Sequence, residues 1–218
     1  MTKVPISNIS RQKMRRITSE ISNLDKHFAK VISDNLLCTI GEKISERNNF
    51  QTLVAAVVSQ QLATNAARTI HGRLEILAKN EITPKRIFNL SDAALREIGV
   101  SGAKSRAIRG LAEAAISGLV PVEDLHELTD TQVFESLTSL WGIGPWTVDM
   151  FMISKLNRLD IWPTGDLGVR RGWESIYNLP EQIMPKDLEI KGEKFRPYRS
   201  VIAWYCWRHL DTLKVKKS

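Results

Sequence analysis

The chain has 218 residues, 43% of them hydrophobic and 25% charged, enough to bury a substantial core as one domain or two small lobes. Thirty-one Lys and Arg against 24 Asp and Glu give a formal charge of +7, a balance that favours a polyanionic partner, although many basic proteins bind no nucleic acid. Its two cysteines, Cys38 and Cys206, lie far apart, which excludes a disulfide framework, a cysteine-rich zinc site and an iron–sulfur cluster.

The first residues, MTKVPISNISRQKMRR, lack the apolar core of a signal peptide, and no stretch approaches the ~18 apolar residues of a membrane span, so an intracellular protein with no membrane partner is expected. Basic runs at Lys13, Arg15 and Arg16 and in the ending KVKKS suit a nuclear address or simply solvated ends. Helices are then predicted over 10–22, 25–34, 50–61, 64–79, 84–89, 92–98, 103–117, 130–140, 145–156, 166–177, 186–195 and 198–212. The reason is apolar spacing of three and four, as in Phe50, Leu53, Val54, Val57, Val58 and in Ile108, Leu111, Ala112, Ala115, Ile116. Punctuation agrees: Thr83-Pro84 reads as cap and first residue, Thr129-x-x-Gln132 as a capping box, Pro145 and Pro185 as first-turn prolines and Gly118 as a stop. No Asn-Gly or Asp-Gly hairpin turn stands between alternating strands. The fold class is therefore all-α, with about 50–130 as one lobe, the N- and C-terminal segments as the other, and 118–130 as a passage between them.

The most informative stretch is Leu137-x-x-Leu140-Trp141-Gly142-Ile143-Gly144-Pro145-Trp146, where an apolar helix meets Gly-Ile-Gly and a second helix starts with proline. Such a turn aims backbone N–H groups outward beside a helix N-terminus, which suits a phosphate; an αα-hairpin that binds nothing is the ordinary alternative. Some twenty residues on, Asp166 stands where a helix begins after a Pro- and Gly-containing loop, a position where Asp ordinarily serves as an N-cap. A second hairpin-like element, Ile98-Gly99-Val100-Ser101-Gly102-Ala103-Lys104, offers backbone N–H groups and Lys104 to phosphates. Six tryptophans against three tyrosines and six phenylalanines favour stacking on bases. His27, His71, His126 and His209 have no metal-ligand spacing, so no metal is expected.

With Leu159-Asp160-Ile161-Trp162-Pro163-Thr164-Gly165-Asp166-Leu167-Gly168 downstream of the hairpin, the chain resembles the alkylation-repair branch of the helix-hairpin-helix glycosylases, the 3-methyladenine DNA glycosylase II family. The resemblance extends over about 45–210, through Val57-Val58-Ser59-Gln60-Gln61-Leu62-Ala63-Thr64 and Phe195-Arg196-Pro197-Tyr198-Arg199-Ser200 with Trp204. It implies two helical lobes with a DNA cleft between them and a monomer acting on double-stranded DNA that contains damaged bases. It also implies Asp166 as the catalytic carboxylate, a base pocket from Trp146, Tyr198, Met150 and Trp162, and a wedge at Gln61 with Gln60 beside it. Gly142, Ile143, Gly144, Gly102 and Lys104 would hold DNA. Relatives that also cut the backbone carry a Lys where Trp146 stands here, so hydrolysis without lyase chemistry is expected. No cofactor is expected, and the sequence does not by itself predict a monovalent cation at the hairpin. Met150 and Leu167 replace tyrosines of the bacterial branch, which leaves the range of alkylated bases open. A non-catalytic sensor of damaged or abasic DNA is the alternative, and one to which Asp166 would be of no use.

Overall fold

The computed structural model describes residues 8–42 and 45–215; the first seven residues of the N-terminal segment and the last three of the basic ending lie outside them. Among the described residues there is no strand. The α-helices in chain order are α1 (Arg11–Leu24), α2 (Lys26–Ser33), α3 (Asn49–Ser59), α4 (Thr64–Leu77), α5 (Pro84–Asn89), α6 (Asp92–Glu97), α7 (Gly102–Ser117), α8 (Asp130–Thr138), α9 (Pro145–Ser154), α10 (Leu167–Tyr177), α11 (Pro185–Gly192) and α12 (Arg199–Val215). None is long and apolar enough to cross a membrane.

Helix ends follow side-chain chemistry. Thr129 and Gln132 form a reciprocal capping box, and so do Asn48 and Gln51, a pair without a Ser or Thr to advertise it. Thr83 accepts from the Arg86 N–H ahead of Pro84, and Gly118 ends α7 in the left-handed region at φ 75°. Two stretches differ from expectation. The helix predicted over 186–195 gives way after Gly192 to a 3-10 turn, Glu193–Phe195. The segment predicted as a passage contains a 3-10 helix, Val122–Glu127, whose Val122 and Glu123 carbonyls accept from the buried amide of Asn49.

The chain forms two compact units. The first, Ser45–Phe151, extends past 118–130 and so includes the Gly142–Gly144 hairpin. Its centre is α3, with Phe50, Leu53, Val54, Val57 and Val58 fully buried against α4, α7 and the 3-10 helix. Helix α7 buries Ile108, Leu111 and Ala112 and carries α5 and α6. Each large side chain so buried contributes about 1.5–3 kcal/mol, and Leu111→Ala would cost about 2–5 kcal/mol.

The second unit comprises the described residues of Ile6–Ile44 and Met152–Ser218. Phe28, Trp173, Tyr177 and Phe195 form its aromatic core, with Phe28 5.2 Å edge-on to Phe195 and Trp173 stacked 4.6 Å from Tyr177. Asp25, buried at the start of α2, accepts from the His27 and Phe28 N–H groups on one oxygen and from Tyr177 and Lys194 on the other. Helices α10 and α12 cross closely because a Cβ at Gly172 would stand 2.4 Å from the Cys206 carbonyl oxygen. Both cysteines are buried thiols, and burial pushes Cys38 up to about 12, far from reactive thiolate.

Candidate active site

The loop leading to Asp166 is held at four points inside the second unit. The Ser200 hydroxyl accepts from Ile161 N–H at 2.8 Å and donates to the Ile161 carbonyl, while Ser200 N–H donates to Leu159. Buried Arg199 forks onto Asp160, with Nε to Oδ1 at 2.8 Å and Nη2 to Oδ2 at 3.1 Å. Trp162 donates its indole N–H to the Leu188 carbonyl at 3.0 Å, and Asp166 N–H donates to Pro163. The Arg199-Ser200 pair of the sequence resemblance therefore serves to fix this loop.

Asp166 is the N-cap of α10, its Oδ1 accepting from Val169 N–H at 2.8 Å. The same oxygen accepts the indole N–H of Trp207 at 2.8 Å. A Cβ at Gly168 would fall 2.8 Å from the Trp207 ring, so only glycine lets this indole reach the carboxylate. Trp207 was not singled out from the sequence; the small residue two positions after Asp166 was the available signal. With Trp204, Ile40, Gly41, Ser154 and Asn157 it lines a cavity of about 520 Å³, within the range of small-molecule sites. The Arg208 guanidinium stands 5.0 Å over the Trp204 ring, so that indole already takes a cation on its face.

Of the expected pocket aromatics, Trp162 is buried in the second unit. It is 8% exposed, edge-on to Trp173, and packed so that any Cβ at Gly192 would collide with it. Tyr198, half-buried, is not part of the 520 Å³ cavity; burial and a hydrogen bond with Glu20 raise its phenol above the usual range. Trp146 is 48% exposed in the first turn of α9, with Met150 half-buried one turn later.

In the first unit Gly142 turns the chain at φ 83°, and a Cβ there would meet Ala107 of α7 at 2.7 Å. Gly144 has neither constraint: nothing lies within 4 Å of its Cβ position, so the surface at the start of α9 stays open to a ligand. Ile143 between them is buried. Gln60 and Gln61 separate in role. The Gln60 amide donates to the Gly142 carbonyl at 3.2 Å and to Thr147 Oγ1 at 3.0 Å, bracing the hairpin from the end of α3. Gln61 is exposed at φ 55°, at the tip of the α3–α4 turn.

The second hairpin-like element is a helix end followed by a cap: Gly99 at φ 97° closes α6, and Ser101 caps α7. Gly102 is open above its Cβ position. Lys104, expected as an arm toward phosphate, donates its ammonium to the Val58 carbonyl at 2.9 Å, at the negative end of α3. Among the described residues no cluster of three His, Cys, Asp or Glu is placed to hold a metal.

Residues 54–197 match the profile of the HhH-GPD superfamily base excision DNA repair proteins. DNA-3-methyladenine glycosylase 1 of Schizosaccharomyces pombe is 33% identical over 192 residues, covering 86% of this chain and 84% of its own. The solved structure of the 3-methyladenine DNA glycosylase of that yeast in complex with abasic DNA superposes with a TM-score of 0.78 at 31% identity, over 88% of this chain and 95% of that one. A DNA-3-methyladenine glycosidase structure from Bacillus halodurans gives 0.79 at 34% identity, over 94% and 91%. Matched along two thirds of its length and in its helical architecture, the chain belongs to the HhH-GPD superfamily of base excision DNA repair proteins, as one of its DNA glycosylases.

Proposed function

We propose that the enzyme is a monofunctional glycosylase that removes alkylated bases, such as 3-methyladenine or 7-methylguanine, from duplex DNA and leaves an abasic site. The observation that carries this is the Asp166 carboxylate, clamped on one oxygen by Trp207 and Val169, with Trp207 also lining the 520 Å³ cavity. Departure of the base builds positive charge on the deoxyribose. A carboxylate held in a fixed plane stabilises that charge and orients or deprotonates the attacking water. Alkylation at a ring nitrogen makes the base cationic. The Trp207 indole lining the cavity then favours it, and it leaves without an acid to protonate it.

The hairpin at Gly142–Gly144 grips a backbone phosphate, Gln61 fills the gap left by the extruded base, and Trp146 and Met150 of the first unit offer the base an aromatic and an apolar contact. Trp146 stands where a lyase would carry its Schiff-base lysine, which supports hydrolysis alone. DNA being the substrate, the enzyme works as a monomer inside the cell, in the nucleus where there is one, and without a cofactor. The names of its yeast and bacterial relatives support alkylated substrates. The test is to incubate the protein with methylated duplex and chromatograph what is released. Free methylated bases with an uncut, alkali-labile strand are expected. Tight binding with no release from any damaged duplex would replace the enzyme by a sensor, and a cut strand would refute the monofunctional assignment.

A further inference from the structure

A groove of about 500 Å³ in the first unit takes no part in the chemistry above. It is lined by Phe88, Arg96, Gly102, Arg106, Gly110 and Trp141, together with Asp92, Arg109 and Glu113. Five of these share one face of α7: Gly102, Arg106, Arg109, Gly110 and Glu113 recur at three- and four-residue steps. Trp141 is 50% exposed and Phe88 39%, although large aromatics usually hide their rings. The Arg106 guanidinium lies 4.3 Å over one face of the Trp141 ring, so a cation stands beside a ring that is still half exposed.

Two glycines on this face are required neither by a positive φ nor by close packing at the Cβ position. Gly110 is in the middle of α7, where glycine costs about 1 kcal/mol against alanine, yet its φ is ordinary and nothing lies within 4 Å of its Cβ position. Gly102 is equally open. Both leave the helix backbone bare to something outside the chain. Asp92 is neutralised within the groove: its Oδ1 accepts from the Ser105 hydroxyl at 2.6 Å and from Arg109 at 3.1 Å. Arg96 and Arg106 then set the sign of the groove beside Trp141, with Glu113 the remaining negative charge in its lining.

We propose that this groove binds an unpaired stretch of single-stranded DNA, bases stacking on Trp141 and Phe88 and phosphates running past Arg96 and Arg106. Exposed rings select unpaired strands, because the faces of duplex bases are already stacked on one another. The strand backbone approaches α7 over Gly110 and Gly102. Such a site would let the enzyme hold DNA at gaps, frayed ends or overhangs, beyond the duplex grip of the hairpin.

The experiment measures anisotropy of a labelled thymidine oligonucleotide and of a blunt undamaged duplex with the whole protein, Gly110→Leu and Trp141→Ala. Gly110→Leu puts a side chain into the groove from a position whose Cβ has open space and favours the helix, with melting temperature as the check on folding, and Trp141→Ala removes the stack. Each variant is expected to bind the oligonucleotide roughly tenfold more weakly, with quenching of tryptophan emission reduced in Trp141→Ala. Blunt-duplex affinity and base release from methylated blunt duplex should stay at parental values in Gly110→Leu, so this site and the glycosylase reading can fail separately. No binding of the oligonucleotide by the parent, or parental binding by Gly110→Leu, would overturn the proposal. So would equal losses on blunt duplex, or displacement of the oligonucleotide by polyglutamate as readily as by unlabelled strand.

Discussion

Replacing Asp166 by Asn separates the charge of the carboxylate from everything else it does. Oδ1 accepts two bonds, from Val169 N–H and from the Trp207 indole, each at 2.8 Å. An amide oxygen accepts the same two, so the cap on α10 and the position of Trp207 survive, and the stability change should not exceed about 1 kcal/mol. What disappears is the negative charge facing the developing oxocarbenium ion. Removing one such electrostatic contribution costs on the order of 3 kcal/mol in the transition state, or roughly a hundredfold in rate. Single-turnover release of methylated bases is the assay, with binding to an abasic-site analogue and melting temperature measured beside it. A hundredfold slower release with retained affinity and melting temperature is expected. Release at the parental rate would refute the assignment, leaving Asp166 a helix cap and nothing more.

Trp207→Phe keeps an aromatic wall but deletes the N–H on Asp166, and the loss of that charge-assisted bond should slow release by roughly tenfold, with undamaged-duplex affinity unchanged; an unaltered rate would make the contact incidental. Gly144→Val and Gly142→Val should part company. The first, with open space at its Cβ, is expected to keep its melting temperature and weaken binding to damaged and undamaged duplex alike, while the second, strained at φ 83° and against Ala107, should lower the melting temperature as well. If Gly144→Val binds normally, the hairpin is not the grip. Acid stability reports on Asp25, where burial alone would raise the carboxyl but hydrogen bonds from Lys194, Tyr177 and Phe28 N–H outweigh it and hold it at about 2 against an ordinary 3.8. A lowered folded value stabilises the fold fully above pH ~4, and about 2 kcal/mol is lost as pH falls from there through 2. Urea melts of the parent and Asp25→Asn should therefore converge with acidification over that window, and parallel curves would assign the stabilisation elsewhere.

The sequence alone determined most of the α-helices, several of their caps and the hairpin, because each rests on groups within a few residues of one another. Apolar spacing defines α3 and α7, Thr83-Pro84 and Thr129-x-x-Gln132 start α5 and α8, and Gly118 stops α7. The position of Asp166 at a helix start was legible for the same reason. Its partner was not: Trp207 lies 41 residues away, on a helix whose approach is set by Gly168 and by Gly172 against Cys206. Likewise Gln60 reads as one of two equivalent polar residues until α3 ends beside the hairpin, 82 residues on, and gives its amide the Gly142 carbonyl. Trp162 and Lys104 carry chemistry suited to a base and a phosphate, but the fold commits them to Leu188 and Val58. A side chain's type fixes what it can bind; only tertiary packing, which pairs groups distant in the chain and removes them from water, decides what it does bind.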